Sequence, residues 1–246
     1  MPNPTAAMLT IGDEILSGRT RDANLPHLAQ ALTERGIALR EARVVPEEAE
    51  AIVGAVNDLR TRHDHLFTSG GLGPTHDDIT ADCIATAFGV GIDVREDARA
   101  ILATNYEDPE TALNAARLRM ARIPDGATLI DNPVSRAPGF SLGNVHVMAG
   151  IPQIFQAMVA SLLPQLTGGR PLLTETLQVR RPEGELAAPL RSVAEAHPEV
   201  SIGSYPYHRN GGFGSNVIVR GEDRATVDAA VAALRDHLRS AVESAD

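Results

Sequence analysis

The densest group of chemically versatile residues lies in the segment 68–80, which reads TSGGLGPTHDDIT. Glycines at three positions, Gly70, Gly71 and Gly73, let the backbone adopt positive φ and approach a ligand without a Cβ clash. Successive backbone N–H groups in such a turn converge on an anion, and a following helix adds partial positive charge at its N-terminus. The segment therefore predicts a phosphate-binding loop, and three residues add hydroxyl groups to it: Ser69, Thr75 and Thr80.

Two carboxylates, Asp77 and Asp78, follow the glycines directly, although carboxylates repel phosphate. The conflict disappears if they hold Mg²⁺ or a similar divalent cation that also contacts the phosphate oxygens. The alternative is that one of the two aspartates only caps a helix that begins near Ile79. The loop matches neither GxxxxGK[ST] nor GxGxxG, so neither of those phosphate-binding motifs is supported.

Other loops of polar or special backbone residues adjoin predicted strands and extend the candidate site. In GDEILSG, the acids either orient a ligand, join the metal ligands, or form a solvated acidic turn. DNPVSRAPGF supplies an arginine that offsets negative charge, MAGIP joins a strand to a helix, and Asn24 is predicted to cap a helix while facing the cleft. The candidate ligand-binding residues of these segments are Gly12, Asp13, Glu14, Asn24, Asn132, Arg136, Gly139, Gly150 and Pro152.

These loops need strands to position them, and short strand-like apolar runs do alternate with longer runs of helical spacing. The predicted strands cover 5–11, 37–45, 65–68 and 145–148. The predicted helices cover 25–35, 47–62, 79–88, 96–106, 111–121 and 153–163. This alternation predicts βαβ units and a mostly parallel sheet, an α/β fold in which ligands bind at the carboxyl ends of the strands.

The pattern changes at LTGGRP, where turn residues cluster, and we place a domain boundary there, between 1–169 and 170–246. The second part is predicted to be a small α+β domain, with strands 172–179, 200–204 and 216–220 and helices 185–196 and 224–242. We interpret SYPYHRNGGFG as a connection between two strands, although Tyr205, Tyr207 and His208 could instead line the edge of a ligand site.

Composition narrows the classes of partner. A formal net charge of −10 argues against non-specific binding to nucleic acid or to an anionic membrane. No run approaches the roughly 18 apolar residues of a membrane span, and the N-terminus lacks signal-peptide features. The single cysteine, Cys83, excludes an internal disulfide, and its apolar neighbours predict a buried structural thiol. We therefore expect a cytoplasmic protein that binds a small molecule, and neither nucleic acid nor a membrane.

Taken together, IGDEILSG…DAN, TSGGLGPTHDDIT, NPVSRAPG and MAGIP resemble the molybdopterin-binding (MoCF) fold. Within it, the closest likeness is to the N-terminal region of the competence/damage-inducible protein A family. The likeness runs in order through residues 5–165 and extends to IGSYP at 202–206. It implies a three-layer α/β/α domain that assembles as a dimer or trimer and whose glycine loop binds pterin phosphate or an ADP-containing nucleotide.

The resemblance also implies catalytic roles. In molybdopterin adenylyltransferase relatives the acid of the D-x-T motif is required for catalysis, and that acid matches Asp78. Those relatives also carry an aspartate just after the second strand, and Glu47 stands at the matching position. Competence-type relatives are linked to metal-dependent hydrolysis of ADP-ribose or similar pyrophosphates. Many also carry a C-terminal deamidase domain, and we expect that activity to be absent from a chain ending at residue 246.

The resulting hypothesis is a metal-dependent pyrophosphatase acting on ADP-ribose or FAD, with Asp78, Asp77 and Glu47 as catalytic residues. The alternatives are a molybdopterin adenylyltransferase-like enzyme and a non-catalytic module that binds a pterin, such as molybdopterin, or a nucleotide.

Overall fold

The computed structural model describes residues 3–209 and 212–243. The chain divides into two compact units, Met1–Gly169 and Arg170–Asp246, each with its own apolar core.

The strands of the first unit are β1 (Thr5–Ile11), β2 (Ala38–Val45), β3 (His65–Ser69), β4 (Ile92–Val94), β5 (Arg122–Pro124), β6 (Thr128–Ile130), β7 (Gly139–Leu142) and β8 (Val145–Met148). Its α-helices are α1 (Asp13–Leu16), α2 (Asn24–Glu34), α3 (Ala49–Arg62), α4 (Thr80–Phe88), α5 (Glu96–Ala103), α6 (Pro109–Ala112), α7 (Ala115–Leu118) and α8 (Pro152–Leu162). Short 3-10 turns cover Arg119–Ala121 and Leu163–Gln165.

Six strands of this unit form one sheet in the order β2-β1-β3-β8-β7-β6. The pairs β1–β2, β1–β3 and β3–β8 are parallel, whereas β7 runs antiparallel to both β8 and β6. β4 and β5 pair separately as a two-stranded sheet. The mostly parallel α/β sheet is thus confirmed.

Strand β1 shows why the unit has three layers. Its side chains alternate between two apolar cores, as successive residues of a strand point to opposite faces. Ala7 and Leu9 pack with residues of α3 and α4, whereas Ala6 and Met8 pack with residues of α2 and α8. β1 is buried on both faces, and its residues 6–9 form a continuous apolar run, as expected for a central parallel strand.

The predicted helix 111–121 is wrong. Three short turns replace it, since α6 ends at Ala112, α7 begins at Ala115 and a 3-10 turn follows. The break lies at Leu113, whose ψ of 70° is not helical, and at Asn114, whose side chain accepts a hydrogen bond from the backbone N–H of Arg117. Asparagine competes in this way with helix continuation and instead begins a new turn.

Four strands of three or four residues escaped prediction: β4, β5, β6 and β7. β8 also has four residues and was predicted because it leads into the MAGIP turn and a helical run. Gly139 and Phe140, assigned to a loop from sequence, begin β7. A strand of that length contains at most two alternations of apolar and polar residues, so no period can be recognised.

The second unit contains β9 (Leu173–Val179), α9 (Glu183–Ala196), β10 (Ser201–Arg209), β11 (Gly212–Gly221) and α10 (Arg224–Glu243). Its antiparallel sheet has the order β10-β11-β9, so the small α+β domain is confirmed. The interpretation of SYPYHRNGGFG as a connection is wrong for most of the segment, because the two strands extend into it. Pairing runs from Ser201↔Arg220 to Arg209↔Gly212, so Tyr205 and Tyr207 are strand residues, and residues 210–211 lie outside the described residues.

Two further expectations concern the cysteine and membrane-spanning helices. Cys83 is buried, as predicted, and burial raises the pKa of its thiol to about 11. Within the described part of the chain, no helix combines the length and the apolar character needed to cross a bilayer.

A buried histidine pair makes stability depend on pH. His146 on β8 is 4% exposed; its Nδ1 lies 2.8 Å from Ser141 Oγ and its Nε2 lies 3.2 Å from His65 Nδ1. Burial, with the charge of His65 second, lowers the pKa of His146 to about 3. The folded state therefore binds fewer protons than the unfolded chain, and this contribution to stability, complete above pH 6.5, is lost as pH falls below that value.

We expect His146 alone to lower the free energy of unfolding by about 1.4 kcal/mol between pH 7.5 and pH 5.5. Denaturant unfolding at the two pH values should show this loss in the wild type and a correspondingly smaller loss in His146→Gln. His76→Gln, whose parent side chain is 99% exposed, should retain the wild-type difference. An equal loss of unfolding free energy in the wild type and in His146→Gln would contradict the lowered pKa of His146.

Candidate functional site

The carboxyl ends of the parallel strands gather five loops at one edge of the sheet. The strand order places the loops after β2, β1, β3 and β8 next to one another in that sequence. The loop between β6 and β7 lies at the same edge, because Phe140 at the start of β7 pairs with Val147 at the end of β8. Every candidate segment singled out from the sequence therefore follows, or joins, a strand end at this edge.

Three of these loops meet at Gly70. Its φ is +107°, and a Cβ there would lie 2.1 Å from the carbonyl oxygen of Ile11. Its N–H donates to the carbonyl of Met148 at 3.3 Å, and a Cβ on Gly150 would lie 3.2 Å from Gly70 Cα. Only glycine fits this position, because both the backbone conformation and the space exclude a side chain.

The next residues present unused backbone donors. Thr80, 0% exposed, anchors the loop from α4: its N–H donates to the carbonyl of Gly71 at 3.1 Å and its hydroxyl to that of Gly70 at 3.0 Å. Among the described residues, the N–H groups of Gly71, Leu72 and Gly73 donate to no protein acceptor. Three consecutive amides without a protein acceptor, the first on a residue with φ of +62°, are available to donate to an anion.

The aspartates lie beside these amides. Asp78 Oδ2 accepts from the N–H and the hydroxyl of Thr75, at 2.8 and 2.5 Å, and a Cβ on Gly73 would lie 2.5 Å from that same oxygen. Asp77 is exposed and lies 3.9 Å from His76. Helix α4 has Ile79 as its N-cap residue and no side-chain cap, so the alternative in which an aspartate caps this helix is wrong.

Glu47, in the loop after β2, belongs to a cluster of acids. Burial raises the pKa of its carboxyl, and the negative charges of four other residues raise it further: Asp77, Glu14, Asp13 and Asp78. We call these five residues the acid cluster. Among the described residues, the acid cluster takes part in one ion pair, between Asp77 and His76. The other four carboxylates of the cluster have no ion-pair partner among the described residues.

The loops after β1 and β2 are held together at the same place. The N–H of Gly12 donates to the carbonyl of Val45 at 3.2 Å, and a Cβ on Gly12 would lie 2.6 Å from Glu14 Oε2. Glu14 thus folds back over the end of β1, toward the part of the edge that Glu47 occupies.

Asn24 proves to be a positioning residue. It is 4% exposed, and its Nδ2 donates to Ser69 Oγ at 2.8 Å and to the carbonyl of Gly150 at 2.7 Å. It therefore ties the start of α2 to the ends of β3 and β8. The prediction that Asn24 caps its helix is wrong, because Asn24 is the first helical residue and Asp22 Oδ1 accepts from its N–H.

The loop between β6 and β7 is organised from within. Asn132, 1% exposed, donates to Ser135 Oγ and the carbonyl of Ala137, and its Oδ1 accepts from two backbone N–H groups of the loop. Arg136 is exposed, with φ of +58°, and has no ion-pair partner in the described part of the chain. Gly139 packs against Met158 and the carbonyl of Val147, while Pro152 opens α8.

The acid cluster suits a divalent cation in its chemistry but not as a complete protein cage. Its donors are all carboxylate oxygens, which hard cations such as Mg²⁺ prefer. The described residues contain no group of three or more His, Cys, Asp or Glu placed to hold a metal by themselves. This combination fits an ion bound by one or two carboxylates together with phosphate oxygens of a ligand.

Sequence reasoning missed Arg119, which lies 41 positions beyond the aspartates. Its Nη2 donates to the carbonyl of Asp78 at 3.0 Å. It comes from a 3-10 turn in the segment mistaken for one long helix, and its own neighbours carry no signal for the contact.

Comparisons with known proteins agree with this arrangement. The family model described as "Probable molybdopterin binding domain" matches residues 7–168, and that described as "FAD synthase, middle domain" matches residues 171–246. A protein from Pyrobaculum arsenaticum is 35% identical over 210 residues, which cover 82% of this chain and 79% of that protein.

Two further matches each cover about two thirds of the chain. A CinA-like protein from Citrifermentans bemidjiense is 37% identical over 167 residues, covering 66% of this chain and 40% of the relative. The crystal structure of the protein CinA from Thermoplasma acidophilum superposes with a TM-score of 0.61 at 33% identity, covering 65% of this chain and 98% of that one.

Proposed function

The chain belongs to the family of probable molybdopterin-binding domains, and from that premise we propose that it hydrolyses the pyrophosphate of an ADP-containing nucleotide with the help of a divalent cation. One observation carries the proposal. The free N–H groups of Gly71, Leu72 and Gly73 lie beside Asp78, a member of the acid cluster that has no ion-pair partner among the described residues. Donors for phosphate and carboxylates for a cation thus occur in one loop.

The substrate is bound through its phosphates. The three free amides donate to phosphate oxygens, and the N-terminus of α4 adds partial positive charge. Arg136, at the other end of the row of loops, offsets further negative charge. Ser69, Thr80, Asn24 and Asn132 act on the ligand indirectly, because their polar groups hold the loops in place.

Asp77 and Asp78 would hold the cation, which when bound neutralises charge on the phosphate oxygens and lowers the pKa of a coordinated water. The fit rests on the carboxylate donors and on the repulsion within the acid cluster, which a cation would relieve.

Glu47 serves as general base. A carboxylate with a raised pKa is a better proton acceptor near neutral pH. It takes a proton from a water whose oxygen forms a bond to one phosphorus. The bond from that phosphorus to the bridging oxygen breaks, and its electron pair leaves with the other phosphate, so one water yields two phosphomonoesters.

The match of residues 171–246 to the FAD synthase middle domain favours FAD as the first substrate to test, with ADP-ribose second. Incubation of the full chain with FAD and Mg²⁺ or Mn²⁺ should release AMP and FMN, separated by chromatography. ADP-ribose should yield AMP and ribose 5-phosphate. Absence of AMP with either substrate and with every divalent metal tried would refute the proposal.

Substitution of the base gives a prediction with a pH signature. The wild-type kcat/KM should fall as pH drops through the pKa of Glu47, which lies above the ordinary value of 4.5. Glu47→Gln should lower kcat by about 10²–10⁴-fold and abolish the fall of kcat/KM at low pH. Glu48→Gln, which changes an exposed neighbour, should keep both the wild-type rate and the fall of kcat/KM at low pH. A Glu47→Gln enzyme with the wild-type pH profile would exclude this role.

A second candidate is adenylyl transfer to a pterin phosphate, which the description of the matching family favours. It predicts release of pyrophosphate from ATP that depends on molybdopterin, with the same phosphate-binding loop. Tight binding of ATP or molybdopterin without turnover, measured by calorimetry, would instead indicate a binding module.

A further inference from the structure

The second unit contains a cavity of about 370 Å³ that has no place in the site described above. It lies between the end of β9 and helix α10. Its lining combines aliphatic side chains with polar and charged ones: Leu177, Val179 and Leu238, together with Gln178, Arg180, Arg181 and Arg235.

The fold brings these residues together from two elements. β9 is the outer strand of its sheet and pairs only with β11, and Arg180 and Arg181 follow its last residue directly. Arg235 and Leu238 are three residues apart on α10, a spacing that places them on one face of the helix. Arg181 is fixed in the wall, because its Nη2 donates to the carbonyl of Leu238 at 3.0 Å.

The charge of this cavity is unusual for the molecule. The chain carries a formal net charge of −10, and several of its arginines pair with carboxylates, among them Arg43, Arg62 and Arg224. Across residues 3–209 and 212–243, however, no ion pair involves Arg180, Arg181 or Arg235. Three guanidinium groups around one hollow repel one another, and a bound anion would relieve that repulsion.

We propose that this cavity binds an organic phosphomonoester with an aromatic or apolar body, of which a nucleoside monophosphate is the simplest example. The planar guanidinium group matches phosphate oxygens with two parallel donors. The aliphatic side chains provide a surface for the organic part, and the volume falls in the range of small-molecule sites.

The site is independent of the proposed hydrolysis, because none of its residues belongs to the glycine loop or the acid cluster. The probe is AMP, titrated calorimetrically into the full chain in EDTA, where a cation-dependent site does not contribute. AMP should bind, adenosine should not, and inorganic phosphate should bind more weakly than AMP.

The variants are Arg180→Gln and Arg235→Gln, alone and combined, since neither guanidinium has a hydrogen bond or ion pair among the described residues. The double variant should bind AMP at least tenfold more weakly, while Arg191→Gln on α9 should bind it as the wild type does. FAD hydrolysis with Mg²⁺ should be unchanged in all of them. Unchanged AMP affinity in the double variant, phosphate binding equal to AMP, or no AMP binding by the wild type would overturn the inference.

Discussion

Gly70→Ala is expected to destabilise the protein by about 3 kcal/mol or more, a large share of the stability of an ordinary domain. The new Cβ would lie 2.1 Å from the carbonyl oxygen of Ile11, a backbone atom that cannot move without distorting β1. The φ of +107° adds a conformational cost of about 1–3 kcal/mol for a residue with a side chain. Denaturant unfolding measures the change directly.

Gly18→Ala is the matched control. Gly18 also has a positive φ, +71°, but a Cβ there meets no atom within 4 Å. Its substitution should therefore cost only the conformational part, about 1 kcal/mol. If Gly70→Ala were no less stable than Gly18→Ala, the close meeting of the three loops at Gly70 would not exist as described.

Asp78→Asn is expected to lower kcat for FAD hydrolysis at least 100-fold. The substitution keeps an oxygen acceptor for Thr75 but removes the negative charge beside the free amides. The measurement is AMP release at saturating substrate and metal, together with the midpoint of thermal unfolding, which should change little.

Two controls separate the charge from the loop structure. Glu110→Gln removes an exposed carboxylate on α6 and should leave the rate unchanged. Thr75→Val removes the hydroxyl bond while the charge of Asp78 remains, so its loss of rate should be smaller than that of Asp78→Asn. Wild-type activity in Asp78→Asn would exclude a catalytic role for this carboxylate.

The sequence predicted those parts of the molecule that depend on local pattern. The strands β1, β2, β3 and β8 were predicted because β1 and β2 have seven and eight residues, and β3 and β8, although short, each lead into a glycine-containing turn and a helical run. The glycines of the loop after β3 were also recognisable, since their conformational freedom is a property of the residue type. Short strands such as β6 and β7 carry too few residues for a period to be visible.

Contacts between distant residues explain the rest. Asn24 was predicted to cap its own helix, yet its amide bridges to Ser69 and to Gly150, which is 126 positions away. The support of Arg119 for the carbonyl of Asp78 spans 41 positions. Burial raises the pKa of Glu47, and acids on two other loops, those after β1 and β3, raise it further. Such pairings follow from the order of the strands, which no single segment specifies.

The most direct test of the account is a crystal structure of the chain with ADP and Mn²⁺, whose anomalous scattering locates the metal. We predict phosphate oxygens within hydrogen-bonding distance of the N–H groups of Gly71, Leu72 and Gly73, and Mn²⁺ between those oxygens and the carboxylates of Asp77 or Asp78. Diphosphate bound away from these amides, or Mn²⁺ with no ligand from the acid cluster, would contradict it.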